Sequence, residues 1–258
     1  MGPRAHDGRA GLDHFAFVAA SEADLEAARA SLADAGMTAG PLPDDDHSGA
    51  HDGIRFTLPS GHEMELVVLG DPVAYLGGTR MVAPGLVGIG PLPLDHITLM
   101  TSELDEVVEF LTTVLSFRCT EMIEGGDGVR FAAFLRTRDQ HHDLAFFRCA
   151  PDANPLINHV AFRVKSLDDI GRAYDIAADA GWEMDCSPGR HVAGNNLFSY
   201  VRDPSGNRTE LSGDMAQIEM GAPTRILRPG EHRFDMWGQP VSERVDSGIQ
   251  GAPTPARS

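Results

Sequence analysis

Basic residues are scarce in this chain: 21 Lys and Arg stand against 38 Asp and Glu, giving a formal net charge of −17. Binding to nucleic acid or to an anionic membrane surface needs a basic face, so this balance argues against both. No apolar run approaches the roughly 20 residues that span a bilayer, and the first residues lack the apolar stretch of a secretory signal. We therefore predict a soluble cytoplasmic protein with no nucleic-acid or membrane partner.

Cysteine is equally scarce. Three cysteines in unrelated contexts, Cys119, Cys149 and Cys186, exclude a disulfide framework and a paired-cysteine zinc site, and we expect them to be reduced and partly buried. The 258 residues, 42% of them hydrophobic, are enough for one or two compact domains. Against this background the 11 histidines, nearly as many as the 12 phenylalanines, direct attention to a functional site.

Three segments of the sequence follow one pattern. Each opens with a short run typical of a strand, continues with a Ser and a nearby acidic residue that predict a helix start, and closes with further strands. The openings are LDHFAFV from Leu12, LDHITL from Leu94 and INHVAF from Ile157. Gly36 and Gly181 predict the ends of the first and third helices. The pattern indicates a repeated β-α-β-β-β unit.

The repeats predict an α+β fold in which βαβββ units pair into cupped mixed sheets with the helices outside. We predict a single unit in residues 10–75, the remnant of an N-terminal domain, and a catalytic domain of two units in residues 90–214. Residues 215–258 lack periodicity and predict an extended C-terminal tail, disordered beyond about Val245. A cup lined by two units is a natural place for a metal and a small substrate.

Two histidines and one carboxylate occupy related positions in these units. His96 and His159 lie in the second and third opening strands, and Glu210 lies in the closing strand NRTELS. Strand alternation turns both histidines away from the helix-packed face and toward the cup. If the three side chains meet, they form a two-His-one-carboxylate triad, which suits non-haem Fe(II) and leaves positions open for substrate and O₂. Recurrence in repeated units weighs against the alternative that each is an ordinary strand residue.

Three further polar residues are predicted near this site. His142 lies on the last strand of the second unit, His191 lies in the loop before the hairpin of the third unit, and Tyr200 lies on that hairpin. The DPSG turn pairs the hairpin strands, so Tyr200 can neighbour Glu210. Such residues can move protons and orient a phenol. Two alternatives stay open: His141 and His142 as solvated surface, and Tyr200 as a packing residue.

Together with the closing stretch SPGRHVAGNNLFSYVRDPSGNRTELSGD, these openings resemble the vicinal oxygen chelate superfamily, and specifically its type I extradiol catechol dioxygenases. The resemblance covers about residues 12–214 and extends weakly to residues 232–240. It implies ring cleavage of a catechol by O₂ to a muconic semialdehyde-type product in aromatic degradation.

The resemblance also implies a role for each candidate residue. It implies that Fe(II), or Mn(II) as in some relatives, is bound by His96, His159 and Glu210. It further implies that His142 is the acid-base residue beside bound O₂, and that His191 and Tyr200 hydrogen-bond the substrate and the oxygenated intermediate.

One departure from the family concerns the number of units. Such proteins carry two domains of two units each, whereas this chain shows three units, and its first resembles the family's second. We expect the unpaired first unit to be covered in a homo-oligomer. His14 and Glu65 match the opening His and closing Glu of the other units. A remnant of duplication explains them more simply than a second metal site. Three histidines are expected at the surface: His47, His51 and His62.

Two other functions remain open on the same scaffold. One is a glyoxalase-like metal isomerase or a thiol transferase. A glyoxalase-like site takes a fourth protein ligand, typically a second carboxylate at the close of the second unit, where DLAFF has none. A metal-free small-molecule binding protein would not require His142, His191 and Tyr200 around the triad. For a dioxygenase, Cys186 stands where acid-specific relatives carry a basic residue, which favours an uncharged or hydrophobic catechol.

Overall fold

The computed structural model describes residues 11–43, 49–70, 88–91, 93–153 and 156–238. The chain divides into two compact units: the smaller comprises Asp13–Val87 and Asp105–Phe117, and the larger comprises Met1–Leu12, Gly88–Leu104 and Arg118–Ser258. The predicted boundaries of the repeats and the tail stay predictions. Among the described residues, no helix is long and apolar enough to cross a membrane.

The smaller unit contains a four-stranded sheet in the order β1-β4-β3-β2, in which β1 and β4 run parallel and the other pairs antiparallel. Its elements are β1 (Phe15–Val18), α1 (Glu22–Asp34), β2 (Gly40–Pro41), β3 (Ala50–Thr57), β4 (Glu63–Leu69) and α2 (Leu104–Thr113). Alternate residues of the strands bury one apolar face, and α1 adds Leu25 and Leu32 to the buried core. Phe56 of β3 contacts Phe110 of α2, with ring centroids 6.5 Å apart.

Local sequence accounts for the limits of α1 and α3 (Leu167–Asp179). The Ser21 hydroxyl accepts the N–H of Asp24 at 3.2 Å, as the capping pattern predicts, whereas Ser166 makes no such side-chain bond before α3. Gly36 and Gly181 follow these helices with φ of +72° and +73°, a left-handed conformation that glycine adopts without a steric penalty.

The larger unit is built on a nine-stranded sheet in the order β10-β11-β12-β9-β5-β8-β7-β6-β13. The strands are β5 (Leu94–Thr101), β6 (Arg118–Glu124), β7 (Arg130–Arg136), β8 (Leu144–Arg148), β9 (Leu156–Arg163), β10 (Gly189–Arg190), β11 (Leu197–Arg202), β12 (Arg208–Gly213) and β13 (Arg225–Leu227). The opening strands β5 and β9 pair antiparallel at the centre, and each pairs parallel with the closing strand of its own repeat, β8 or β12. The predicted α+β fold of paired βαβββ units is confirmed.

The segment after Asp214 differs from the extended tail that its composition predicts. β13 pairs parallel with β6 and forms an edge strand of the sheet, and Leu227 is 1% exposed. A three-residue strand is too short to show periodicity, which explains why the pattern missed it. The expected disorder beyond Val245 concerns residues outside the described part of the chain. All three cysteines are unpaired and partly buried, as expected.

The central strand β5 offers a test of the core. Leu99 is 0% exposed, whereas Leu94 on the same strand is 51% exposed. We expect Leu99→Ala to lower the free energy of unfolding by about 2–5 kcal/mol, because it removes buried apolar contacts and leaves a cavity. Leu94→Ala, the control, should lower it by less than about 1 kcal/mol. Urea denaturation followed by circular dichroism measures both, and equal losses would contradict this packing.

Candidate metal centre

The three predicted metal ligands converge. Glu210 Oε2 lies 2.9 Å from His159 Nε2 and 3.2 Å from His96 Nε2, and the two Nε2 atoms are 3.3 Å apart. The residues are 3%, 5% and 1% exposed for His96, His159 and Glu210. In the described part of the chain, this is the only cluster of three or more His, Cys, Asp or Glu side chains whose ligand atoms could hold one ion. Two imidazoles and a carboxylate are a donor set that fits Fe(II) or Mn(II).

Strand register explains why these side chains meet. Ala161 of β9 pairs with His96 on one side, across β5, and with Glu210 on the other side, across β12. His159 lies two residues before Ala161 and therefore on the same face of β9. The small Ala161 side chain leaves room above the sheet for the three larger side chains and an ion. The site is thus a direct product of how the two repeats pair.

Electrostatics in the cluster follow from burial and from the single shared carboxylate. Burial by itself would raise the pKa of Glu210, yet His96 and His159 hold that pKa well below its ordinary value. Burial by itself would lower the pKa of His96, but the negative charges of Glu210 and Asp95 raise it to about 9. Burial lowers the pKa of His159 to about 4. The carboxylate therefore stays ionised and available to a cation.

Asp95, which sequence reasoning missed as a functional residue, supports His96 from behind. Its Oδ2 lies 3.3 Å from His96 Nδ1, and its side chain is held by Arg163 at 2.9 and 3.0 Å, by Gln140 at 3.1 Å and by Ser212 at 2.8 Å. A carboxylate on the far nitrogen of a histidine fixes the ring so that Nε2 faces the metal. The visible signal is the Asp immediately before the His in LDHITL.

Two asparagines, also missed, hold the other ligands. Asn158 Oδ1 lies 2.7 Å from His159 Nδ1, and it also accepts a bond from Arg208 at 3.3 Å. Asn196 is 0% exposed and donates from Nδ2 to Glu210 Oε1 at 3.0 Å. The bond from Asn196 occupies one carboxylate oxygen and leaves Oε2 directed at both histidines. Each ligand thus has a polar partner that orients it.

His142 lies beside the triad. Its ring centroid is 4.3 Å from that of His96, and its Nδ1 is 3.0 Å from His141 Nδ1. Both adjacent histidines are 4% exposed, so the alternative that they are solvated surface is wrong. Burial, together with the positive charge that His96 and His141 carry when protonated, holds the pKa of His142 well below its ordinary value. His142 is therefore a neutral imidazole next to the candidate metal position.

Tyr200 and His191 form a pair on the opposite side of the site. Tyr200 is the cross-strand partner of Glu210, as predicted, and its hydroxyl lies 3.0 Å from His191 Nε2. Burial, reinforced by the nearby Glu210 carboxylate, raises the pKa of Tyr200 well above 10. Burial also lowers the pKa of His191. The pair therefore consists of a neutral phenol and a neutral imidazole.

A cavity of about 340 Å³ opens above these side chains, at the small end of the range for ligand sites. One wall carries the six predicted site residues, and much of the rest is apolar. The residues that line the remainder include Thr98, Met100, Phe131, Phe134, Phe147, Arg148, Asn158, Ala193, Arg208, His232 and Phe234. The space has the size and polarity for one small aromatic ring with its polar edge at the triad.

The smaller unit holds a different arrangement around Glu65. Its carboxylate accepts two bonds from Arg55, each 2.7 Å, and lies 3.6 Å from His14 Nε2. Arg55 is the cross-strand partner of Glu65, the position that Tyr200 occupies opposite Glu210. These residues do not form a metal-ligand cluster of three in the described part of the chain.

The three histidines expected at the surface have different outcomes. The expected exposure of His62 is wrong: it is 5% exposed, and its Nδ1 lies 3.0 Å from the Ser60 hydroxyl. The expectation rested on the Gly-rich or acidic loops that these histidines flank, and that composition gives no sign of this turn contact. The His51 side chain is 64% exposed, as expected. His47 lies outside the described residues.

Comparison with known proteins identifies the family. Residues 93–211 match the model of the Glyoxalase/Bleomycin resistance protein/Dioxygenase superfamily, and residues 12–68 match that of the catechol 2,3-dioxygenase-like N-terminal domain. The structure of the 2,3-dioxygenase LapB from Pseudomonas sp. KL28 superposes with a TM-score of 0.77 at 30% identity, covering 85% of this chain and 77% of LapB. The chain belongs to the extradiol dioxygenases of this superfamily.

Two other relatives show how much of a related enzyme this chain covers and that a glyoxalase has a similar structure. A metapyrocatechase from Pseudomonas sp. (strain CF600) is 30% identical over 208 residues, which are 78% of this chain and 66% of that enzyme. The chain thus spans slightly under two thirds of this relative. A Mn(II)-bound glyoxalase from Novosphingobium aromaticivorans has a TM-score of 0.74 at 28% identity, covering 95% of this chain and 75% of that one. The resemblance to extradiol dioxygenases is confirmed at the level of the family.

Removal of the shared carboxylate tests the metal centre. We expect Glu210→Gln to weaken Fe(II) and Mn(II) binding by about 100-fold or more, because the amide supplies no negative charge. Glu65→Gln is the matched control, since Glu65 already has a cationic partner in Arg55. Equilibrium metal titration of the folded proteins measures both affinities. An unchanged affinity in Glu210→Gln, or a metal equivalent lost in Glu65→Gln, would contradict the assignment.

Proposed function

We propose that this protein is an extradiol dioxygenase that opens the ring of a catechol with O₂ to a muconic semialdehyde-type product in aromatic degradation. The observation that carries the proposal is the buried cluster of His96, His159 and Glu210 at the base of a ring-sized cavity. An ion held by these three side chains would keep further coordination positions for the oxygens of a catechol and for O₂. A fourth protein ligand would take one of the positions that substrate or O₂ needs, and a solvent-exposed site would admit water to them.

We propose Fe(II) as the resident metal, with Mn(II) as the alternative that the donor set also accommodates. The bound metal supplies a Lewis acid and an electron-transfer centre that brings catechol and O₂ together. His96, His159 and Glu210 hold it, while Asp95 and Asn158 fix the orientation of the two imidazoles. The metal-bound glyoxalase relative holds Mn(II), which is a property of that protein.

The residues around the cluster have separate tasks in this proposal. His142 is neutral and buried beside His96, so its Nε2 can take up a proton from the reacting group and return it. Tyr200 holds a catechol oxygen by a hydrogen bond at the other side, and His191 acts through its own hydrogen bond to the Tyr200 hydroxyl. Phe134, 5.1 Å from His142 between ring centroids, covers the site with apolar surface and excludes water.

The walls of the cavity favour an uncharged or hydrophobic catechol. Phe131 and Phe147 lie 5.9 Å apart between ring centroids and form an apolar side where a ring substituent can pack. The lining arginines are engaged elsewhere: Arg208 lies 3.3 Å from the Asp185 carboxylate, and Arg148 donates to the carbonyls of Arg130 and Ser102.

The glyoxalase-like alternative deserves comparison because a metal-bound glyoxalase is among the structural relatives. Such a site would take a second carboxylate from β8. The pairing of Thr98 with Ala145 mirrors the pairing of Ala161 with Glu210, so Ala145 occupies the equivalent position. An alanine supplies no ligand. The three-ligand set favours the dioxygenase over the isomerase, and its buried ionised carboxylate favours it over a metal-free binding protein.

Ring cleavage is tested directly. The protein is loaded with Fe(II) or Mn(II) without oxygen, mixed with catechol, an alkylcatechol or a biaryl catechol, and exposed to air. We expect a yellow ring-cleavage product, with the apolar catechols preferred over a carboxylated one. His142→Ala should retain the metal and lower kcat by about 10²–10⁴-fold. Absence of product with every catechol, despite stoichiometric metal, would overturn the proposal.

We also propose that the protein is a homo-oligomer in which two copies of β1 pair. β5 and β9, the counterparts of β1, pair antiparallel with Ile97 opposite Val160, whereas β1 is an edge strand of its own sheet. The same register between two copies places Phe15 opposite Phe15. Val18, at the end of this edge, is 59% exposed.

Light scattering after size-exclusion chromatography tests this pairing. We expect at least a dimer for the unaltered chain and a lower mass for Ala16→Lys, because charged side chains on an edge strand disfavour pairing. Ala20→Lys, at an exposed position just beyond the strand, is the control and should keep the larger mass. A monomer at all concentrations, or no difference between the two variants, would contradict it.

A further inference from the structure

The C-terminal segment returns to the candidate site. His232 and Phe234 line the cavity, although they lie beyond the last predicted repeat. The backbone N–H of Met236 donates to the carbonyl of Arg190 at 2.7 Å, and His191 and Asp235 form an isolated bridge. Residues 234–237 are therefore attached to the strand that leads into His191.

His191 is held at both ring nitrogens. Its Nδ1 lies 3.0 Å from the carbonyl oxygen of Phe234, and its Nε2 lies 3.0 Å from the Tyr200 hydroxyl. A carbonyl oxygen can only accept, so Nδ1 must carry the proton. In a neutral ring Nε2 then has the lone pair, and the Tyr200 hydroxyl donates to it.

Packing keeps the ring in this position. The His191 ring stacks on Phe198 with centroids 3.8 Å apart and an interplanar angle of 5°, and Phe234 packs edge-on at 4.9 Å. A Cβ at Gly189 would lie 2.5 Å from the Phe198 ring and 3.0 Å from the Asp235 carboxylate. Phe198 and Phe234 therefore hold the plane of the His191 ring, and the absence of a side chain at Gly189 leaves space for Phe198 and Asp235.

Asp235 holds the carbonyl that selects the tautomer. The residue is 3% exposed, and its Oδ1 accepts the N–H groups of Arg190 and Trp237, each at 3.0 Å. These two bonds connect the strand before His191 to the segment that follows Phe234. The Phe234 carbonyl precedes Asp235 by one peptide bond, so its position depends on the same carboxylate.

We propose that Asp235 is a positioning residue that fixes His191 in the Nδ1–H tautomer and thereby sets the direction of the Tyr200 hydroxyl. With its proton directed at His191, the Tyr200 oxygen presents a lone pair to the cavity. It accepts a hydrogen bond from a substrate hydroxyl rather than donating one. This last consequence rests on the proposed function, whereas the tautomer itself does not.

The tautomer is measured by two-bond ¹H–¹⁵N correlation of histidine-labelled full-length protein, as isolated and with diamagnetic Zn(II) at the metal site. We expect His191 to show a protonated Nδ1 and an unprotonated Nε2. Asp235→Ala should shift it toward a mixture of tautomers, and Asp235→Asn should largely restore the pattern because its side-chain oxygen still accepts a backbone N–H. Glu231→Ala is the control, since this exposed tail carboxylate also accepts a backbone N–H, from Arg228 at 2.8 Å.

Kinetics give an independent readout in an active protein. Asp235→Ala should lower kcat by about 10-fold with unchanged metal content, and Asp235→Asn should recover most of it. A protonated Nε2 in the unaltered protein, or an unchanged tautomer in Asp235→Ala, overturns the inference. If the unaltered protein cleaves no catechol, the proposed function fails while the tautomer measurement still decides this inference. If Asp235→Ala does not fold, a protonated Nε2 in the unaltered protein, or a mixture of tautomers in a folded Asp235→Asn, overturns the inference.

Discussion

A buried ionised carboxylate dominates the larger unit. Glu210 is 1% exposed, and a charge so far from water must be matched by positive charge and hydrogen bonds. His96 and His159 supply the match at Oε2, and Asn196 supplies it at Oε1. Without a metal, a proton on the histidines balances the charge. With a divalent cation, the same geometry is satisfied by coordination, so the empty and loaded sites can share one framework.

The need to match buried charge also applies to the polar side chains behind the metal ligands. Asp95 would be a second buried negative charge, and its contacts with Arg163, Gln140 and Ser212 bring together three separate segments of the chain. The cost of burying polar groups is met only if most of these bonds form together. The network therefore ties the orientation of His96 to the pairing of β5 and β12 with β9. Rigidity at the ligand positions follows from the fold rather than from the site alone.

Much of this could be read from the sequence because repetition makes it regular. Strand alternation and equivalent positions in two repeats brought His96, His159 and Glu210 to one point, and the matched turns placed Tyr200 opposite Glu210. Asn196 and Asp95 were not identified as partners, since their roles depend on distant residues. The roles of Phe234 and Asp235 were not assigned from the sequence, although the resemblance extends weakly to residues 232–240, because they depend on one backbone carbonyl and on a carboxylate whose partner Arg190 is distant along the chain. The burial of His141 and His62 also depends on tertiary contacts that periodicity does not encode.

The smaller unit shows another solution to the same electrostatic problem. Glu65 is buried like Glu210, yet its counter-charge is the Arg55 guanidinium, attached to the neighbouring strand. A guanidinium cannot diffuse away, exchange ligands or change oxidation state. One repeat is therefore neutralised from within, while in the other the carboxylate is balanced by the protonated histidines or by a cation that they would bind together. Because Arg55 is part of the chain, its ion pair with Glu65 is a permanent structural contact and leaves that carboxylate unavailable to an exchangeable cation.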